Sequence, residues 1–256
     1  VFTLFNYLGR TVIDGLAQMG QILLLFLRAA LWTFRPPFRL YLVIKQMEFV
    51  GVRSLPVVIL TGVFSGGVFA LQSYYGFNLF GAEGYVGPVV ALALTRELGP
   101  VLTALMVTGR AGSAMAAELG TMRVTEQIDA LTVMAANPVQ YLVVPRIIAG
   151  LVMLPLLTII ADLLGIVGGY IVSVKLLGVD GGLYVAKTVE YLGLDDVLNG
   201  LAKAMVFGLI MALIGSYKGY YTRGGAEGVG RATTQAVVLA SLSIIISDYF
   251  LTAVMF

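Results

Sequence analysis

The residues able to do chemistry in this chain are few, and they sit in apolar surroundings. Arg96 and Glu97 adjoin in VALALTRELGPVLTALMVTG, and Asp162 interrupts LPLLTIIADLLGIVGG. Lys203 interrupts LAKAMVFGLIMALIG, and Asp248 interrupts SLSIIISDYFLTAVMF. An isolated charge deep in a bilayer costs at least ~2.5–3.5 kcal/mol on insertion scales, so each of these must pair, face a bundle interior or line a wet cavity. One reading is structural: Arg96 pairs with Asp162 or Asp248, and Glu97 with Lys203. A second is functional: a polar cluster at the top of an apolar cavity suits a ligand with a charged head and a greasy body, and a phospholipid is the obvious one. A third makes Asp162, Glu97 and Asp248 the relay groups of a proton- or ion-coupled carrier. A non-transporting scaffold, whose charges only pair, is the fourth.

Other chemistry is excluded by composition. The chain has no Cys and no His, which removes Cys/His zinc sites, disulfides, thiol nucleophiles and His-based triads. Ser65 and Ser113 therefore have no imidazole to activate them. No Gly-Lys pair occurs, so the phosphate-binding loop G-x-x-x-x-G-K-[ST] is absent, and GRAGSAMAAELG (residues 109–120) is Gly-rich without the Lys. The chain is expected to be no enzyme, to bind no cofactor or metal, and, with a net charge of +2, to carry no broad nucleic-acid surface.

The elements that position these residues follow from hydropathy. Of 256 residues 59% are apolar and 12% charged, with a mean hydropathy of +0.95. A soluble domain of this size has too little interior to hide so much apolar surface. Five stretches meet the ~20-residue length of a spanning helix. They are residues 54–79, 86–109, 147–172, 197–217 and 236–256. A further candidate, residues 16–34, has a short apolar core, is interrupted by Gln18, Gln21 and Arg28, and ends among Trp32, Arg35 and Arg39. That pattern suits a helix lying in the headgroup region better than a span. The expected organisation is a cytoplasmic or interfacial segment over residues 1–53 and a five-span domain over 54–256. Val1 is not an initiator Met, so trimming at that end is expected, and VFTLFNYLGR is followed by no signal-peptide cleavage pattern.

Orientation follows Lys and Arg. Twelve cations fall before span one or in the loops after spans two and four; Lys175 and Lys187 alone fall on the opposite side. This places the N-terminus in the cytoplasm and the C-terminus outside. Small residues recur at four-residue spacing, at Gly62 and Gly66, Gly165 and Gly169, and Gly112, Ala116 and Gly120. In lipid such rows let helices approach closely, either within one bundle or as a homodimer seam. Pro100 and Pro155 should kink their spans. Between spans two and three, residues 114–136 (AMAAELGTMRVTEQIDALTVMAA) read as a partly amphipathic helix along the membrane, with a polar turn starting at Thr125-Glu126 and a stop at Asn137-Pro138.

Together, RELGP, GRAGSA and EQIDAL within residues 96–131, with GRATTQ (residues 230–235) and the ending DYFLTAVMF, resemble the MlaE-like permeases of Mla-type ABC transporters that work with MCE-domain proteins. The resemblance runs from about Gln46 to the end. It implies an all-α integral membrane fold, with an N-terminal interfacial helix, five spans and a cytoplasmic coupling helix between spans two and three. It implies a homodimer in a bacterial inner membrane, docked on a cytoplasmic ABC ATPase that holds ATP and Mg. A STAS-domain protein and a periplasmic MCE-domain hexamer are the further partners implied. The implied cargo is a glycerophospholipid, moved between the inner membrane and periplasmic or outer-membrane carriers. The polar cluster near the lipid headgroup falls on Arg96, Glu97 and Lys203. The coupling helix falls on Glu118–Leu131, with Met122, Arg123, Glu126, Gln127 and Asp129 between. Val68, Phe69, Leu71, Gln72 and Tyr74 are expected on the cavity face of span one.

Overall fold

The computed structural model describes residues 2–255, with side chains described for residue 13 and residues 15–255. Val1 and Phe256, the outer ends of the expected segments, lie outside the described residues. Among the described residues every regular element is a helix. The chain runs α1 (Phe2–Thr33), α2 (Leu40–Val50), α3 (Leu55–Asn78), α4 (Val86–Ala93), α5 (Gly99–Val107) and α6 (Ser113–Val124). It continues through α7 (Gln127–Val133), α8 (Val144–Tyr170), α9 (Gly181–Tyr191), α10 (Leu194–Tyr220) and α11 (Gly225–Met255). With the backbone out of reach of water, continuous helices are the way to satisfy its N–H and C=O groups.

Six helices are long and apolar enough to cross a membrane, and the chain is a multi-pass membrane protein. Five of them overlap the expected spans and extend beyond them at one end or both: Leu40–Asn78, Glu83–Val124, Val139–Leu176, Leu194–Tyr220 and Gly225–Met255. Apolar runs mark only the lipid-buried part of each helix, so the polar turns at its ends are invisible to a hydropathy reading. The sixth, Gly15–Thr33, is the stretch expected in the interface. It belongs to one unbroken 32-residue helix that buries Leu25 and Ala29 and leaves Leu16, Met19, Leu23 and Leu31 exposed. A hydrogen bond of 2.7 Å from the Tyr217 hydroxyl to Gln21 Oε1 adds a polar tie to the bundle. The expected boundary at residues 53/54 falls on a short 3-10 turn, Val52–Ser54, joining α2 to α3.

Helix α8 is the spine. It packs against α2, α3 and α10, and α10 in turn carries α6 and α11. The core between them includes Ala104, Val107, Met115, Leu154, Phe207 and Met211. The small-residue rows of spans one and three face each other. A Cβ built on Gly66 would lie 1.9 Å from the Gly165 carbonyl oxygen, and one on Gly62 would lie 2.7 Å from that of Ala161. The third row packs on α10, where a Cβ on Gly219 would meet the Ala116 oxygen at 2.7 Å. These rows are consumed inside one chain, which corrects the alternative that one of them is a homodimer seam.

The expected helix over residues 114–136 is two helices. α6 continues span two as far as Val124, and the chain turns at Thr125-Glu126, where Glu126 takes φ +59. The seven-residue α7 follows. A salt bridge of 2.6 Å from Arg123 to Asp129 closes the corner. The left-handed backbone at Glu126 breaks the helix and aims α7 in a new direction. Asn137 Oδ1 then accepts the N–H of Val139 at 2.9 Å and starts the next helix.

Replacing Gly66 with Ala should force α3 and α8 apart and cost on the order of 1–3 kcal/mol, the usual scale of overpacking. Gly76, on the same helix with nothing within 4 Å of its would-be Cβ, is the control. Thermal unfolding in detergent should show a clear loss for Gly66→Ala and none for Gly76→Ala.

Candidate functional site

The RELGP motif does not lie in a regular α-helix. Between α4 and α5 the segment Leu94–Leu98 is a single π-helical turn, in which the Gly99 N–H reaches back to the Leu94 carbonyl. Such turns insert one extra residue and open the backbone, often at functional sites. Gly99-Pro100 follows. In an α-helix the N–H that meets the Arg96 carbonyl belongs to residue 100, and proline has none. The Lys203 ammonium supplies the missing donor, at 3.1 Å from the Arg96 carbonyl oxygen.

Lys203 is the hub of the cluster. Its Nζ lies 2.7 Å from Glu97 Oε2, 3.2 Å from Asp248 Oδ1 and 2.6 Å from Thr252 Oγ1, so with the Arg96 carbonyl four acceptors share its three N–H donors. Thr252 Oγ1 lies 3.1 Å from Glu97 Oε1 and 2.9 Å from the backbone carbonyl oxygen of Asp248 one turn earlier, so its hydroxyl links Glu97 to α11. Lys203 is 0% exposed, whereas the Glu97 side chain is 36% exposed. The ammonium therefore acts on its surroundings through Glu97. With both carboxylates ionised, the cluster carries one more negative charge than Lys203 neutralises. The structural pairing of Glu97 with Lys203 is present.

Arg96 is held differently from the expected pairing with Asp162 or Asp248. Its Nη2 and Nε sit 2.6 and 2.7 Å from Asp196 Oδ1. Asp196 in turn accepts the Gly193 N–H at 3.0 Å, capping the start of α10. A carboxylate there also complements the helix dipole. The Arg96 side chain remains 41% exposed. Asp162 is buried in α8, and its Oδ1 has no hydrogen-bond partner among the described residues. It lies so close to the bend that a Cβ on Gly99 would sit 1.7 Å from that oxygen.

Beside Leu98, the residue after Glu97, a cavity of about 400 Å³ opens along α3, lined by Phe64, Ser65, Val68, Phe69, Gln72 and Leu98. Three of the five expected cavity residues, Val68, Phe69 and Gln72, are in this lining. Leu71 is outside it, and Tyr74 packs instead with Ala70, Val86 and Val90. At 100° per residue, Tyr74 falls on the far side of α3 from Ser65. Sequence reasoning missed Phe64, Ser65 and Leu98, and it left Asp196 and Thr252 unremarked. One signal was available: Asp248 and Thr252 are four apart, so one helix face presents both.

At the cation-rich end, a second π-helical turn, Thr108–Gly112, carries the Arg110 of GRAGSA. Its guanidinium donates to the Phe49 carbonyl and, at 3.2 Å, to Ser54 Oγ, and it stacks on the Phe49 ring at 4.8 Å. This pins the α2–α3 joint to span two. The residues expected to couple to a partner divide into anchors and surface. Glu118 bridges the buried Arg146 at 2.6 Å. Met122 and Leu131 pack on Leu119, Ile128 and Leu142, while Glu126, Gln127 and Asp129 are exposed. Val133 and Met134 project furthest, at 88% and 68% exposure, and the sequence reading had not singled them out.

Residues 43–254 match the family described as Permease MlaE. The chain is 48% identical to a probable ABC transporter permease protein of Rickettsia conorii over 100% of this chain and 99% of that one. It is 49% identical to a counterpart in Rickettsia felis over 98% and 97%. It is 39% identical to the intermembrane phospholipid transport system permease protein MlaE of Haemophilus influenzae, over 100% and 98%. A subunit of this kind is not itself catalytic and works with a partner ATPase. The chain belongs to the MlaE family of ABC transporter permeases.

Proposed function

We propose that this chain is the membrane subunit of an ATP-driven transporter that moves glycerophospholipids between a bacterial inner membrane and periplasmic or outer-membrane carriers. The observation that carries the reading is the charged Arg96–Glu97 pair, partly exposed, next to an apolar cavity. A lipid's acyl chains gain little by leaving a bilayer for an equally apolar cavity, so net movement needs work. The sequence has no phosphate-binding loop to draw that work from a nucleotide. Two copies would enclose the pathway, with a cytoplasmic ABC ATPase holding ATP and Mg, a STAS-domain protein bound to it and an MCE-domain hexamer on the periplasmic side.

In this reading Arg96 faces the lipid phosphate and Glu97 faces a cationic headgroup nitrogen, with Lys203 holding Glu97 in place. The acyl chains lie along Val68 and Phe69. Movement of α7 by the ATPase passes up the continuous helix Glu83–Val124 and closes the cavity. Family membership weighs against the ion-coupled carrier and the scaffold. The carrier keeps one observation in its favour, the buried Asp162 oxygen that has no hydrogen-bond partner among the described residues.

Three expectations follow from these roles. Glu97→Gln keeps the hydrogen bond to Lys203 and removes the charge. The reconstituted complex should assemble and hydrolyse ATP, while lipid transfer falls by about tenfold, equivalent to ~1.4 kcal/mol. Transfer driven by a proton gradient without ATP, and abolished by Asp162→Asn, would falsify the permease reading in favour of the carrier. Val133→Glu should release the ATPase in co-purification and leave the thermal stability of the chain unchanged, because that side chain touches little of its own bundle. Because the chain has no Cys, single introduced cysteines report sidedness directly. Glu126→Cys should be labelled only from the cytoplasm and Lys187→Cys only from outside. Gly15→Cys and Phe34→Cys should both label from the cytoplasm if α1 lies in the interface, and from opposite sides if it crosses.

A further inference from the structure

The GRATTQ segment plays no part in the cluster around Lys203. It lies at the other end of α10, about 22 Å away, since Lys218 is fifteen residues beyond Lys203 at ~1.5 Å per residue. There the chain doubles back through Gly224 and Gly225, at φ +94 and +66, and enters the 31-residue α11. Enclosed between this turn, the last turn of α10 and α1 is a cavity of about 260 Å³ whose lining includes Gln18, Lys218, Tyr221, Arg223, Arg231 and Gln235. The lining is predominantly polar, unlike the cavity beside Leu98. Among the described residues that line it are three cations and no carboxylate.

The cations are partly organised. Lys218 Nζ donates to Gln235 Oε1 at 3.1 Å, which fixes it across the cavity from α10 to α11. Arg231 folds back over the turn, its Nη2 3.5 Å from where a Cβ on Gly224 would be. Glu227 is the carboxylate that reaches it, at 3.9 Å, and both side chains of that pair are well exposed. An exposed pair at that distance holds its partners weakly. Like charges gathered around one space repel, and an anion seated among them turns that repulsion into attraction. Guanidinium groups present paired donors to several oxygens at once, and the first turn of a long helix adds N–H groups and a partial positive charge. Basic pockets between membrane helices have this composition where they bind phosphate-bearing headgroups.

We propose that the cavity formed by Lys218, Arg223 and Arg231 at the α10–α11 turn is a binding site for a phosphate group, separate from the Arg96–Glu97–Lys203 cluster. The phosphate belongs either to the headgroup of a phospholipid in the adjacent leaflet or to free phosphate in solution. The site does not depend on the transport reading.

The full chain, purified in a maltoside detergent free of phosphate groups, is titrated with short-chain phosphatidylglycerol and, separately, with inorganic phosphate. Thermal shift and native mass spectrometry give the readout. Saturable binding is expected for at least one probe, weakened by about tenfold in Lys218→Gln/Arg231→Gln, as expected for lost charge-assisted hydrogen bonds. Arg231→Lys, which keeps the charge, should retain most of it. Binding of phosphatidylglycerol alone identifies a headgroup, and binding of inorganic phosphate alone identifies the free anion. If the double variant does not fold, exposed Arg223→Gln serves in its place and should weaken the same probe. The proposal is overturned if neither probe saturates, or if the variants bind as well as the parent chain. It is overturned equally if the cavity gains an anion only when an acidic segment of the partner ATPase is added.

Discussion

A lysine ammonium with no exposure to solvent is the constraint around which the rest of this protein is arranged. Lys203 sits on α10, yet its partners come from span two and from α11: Glu97, the Arg96 carbonyl, Asp248 and Thr252. Three helices are tied through one nitrogen. Removing one partner of a buried ion pair leaves an uncompensated charge and commonly costs ~3–5 kcal/mol, so the loss of Lys203, which strands two acids at once, is the costliest change to the cluster. Its completeness also depends on Pro100, which frees a carbonyl that the ammonium then satisfies. The bend in span two and the charge on α10 are thus one feature seen from two helices.

Packing elsewhere serves the same end. α8 brings α3 close enough that backbone touches backbone at Gly66 and Gly165, and α3 is the wall of the apolar cavity. The opposite wall is Leu98, held at the π-helical turn that also displays Arg96 and Glu97. The charged pair and the apolar space are therefore adjacent in space because they are adjacent in sequence. Asp196 adds a second level of control. By holding Arg96, it sets a long cation against the start of α10, at the edge of the site.

Much of this was legible in the residues. Depth in an apolar run singled out Arg96, Glu97, Lys203 and Asp248, and the Glu97–Lys203 pairing follows from sign and depth alone. The motifs RELGP, GRAGSA and EQIDAL carried the family. Side-chain direction was less legible, because it depends on helix phase. Tyr74 was assigned to the cavity and lies half a turn away from it. Arg96 was offered two intramembrane acids and took Asp196, a loop acid by hydropathy that the fold brings to the mouth of span two. The seam on Gly62 and Gly66 could not be assigned to a partner helix, since small-residue spacing says that something approaches and not what. The corner at Glu126 needed a left-handed residue, which a glutamate does not announce.

The two π-helical turns in span two have a consequence for how this helix tolerates change. Each carries one residue more than α-helical winding requires, and each residue in an α-helix advances the phase by ~100°. The four-residue rows, the Glu97 face and the Arg110 face are in step with their partners only because those extra residues are counted in. A single deletion at 94–98 would leave the upstream half in register with α3 and α9 and rotate everything downstream by more than a quarter turn. Point substitutions there alter one contact. A change in length would scramble the whole downstream interface, so this helix tolerates exchange of residues far better than insertion or deletion, and its residue count is as constraining as any side chain in the site.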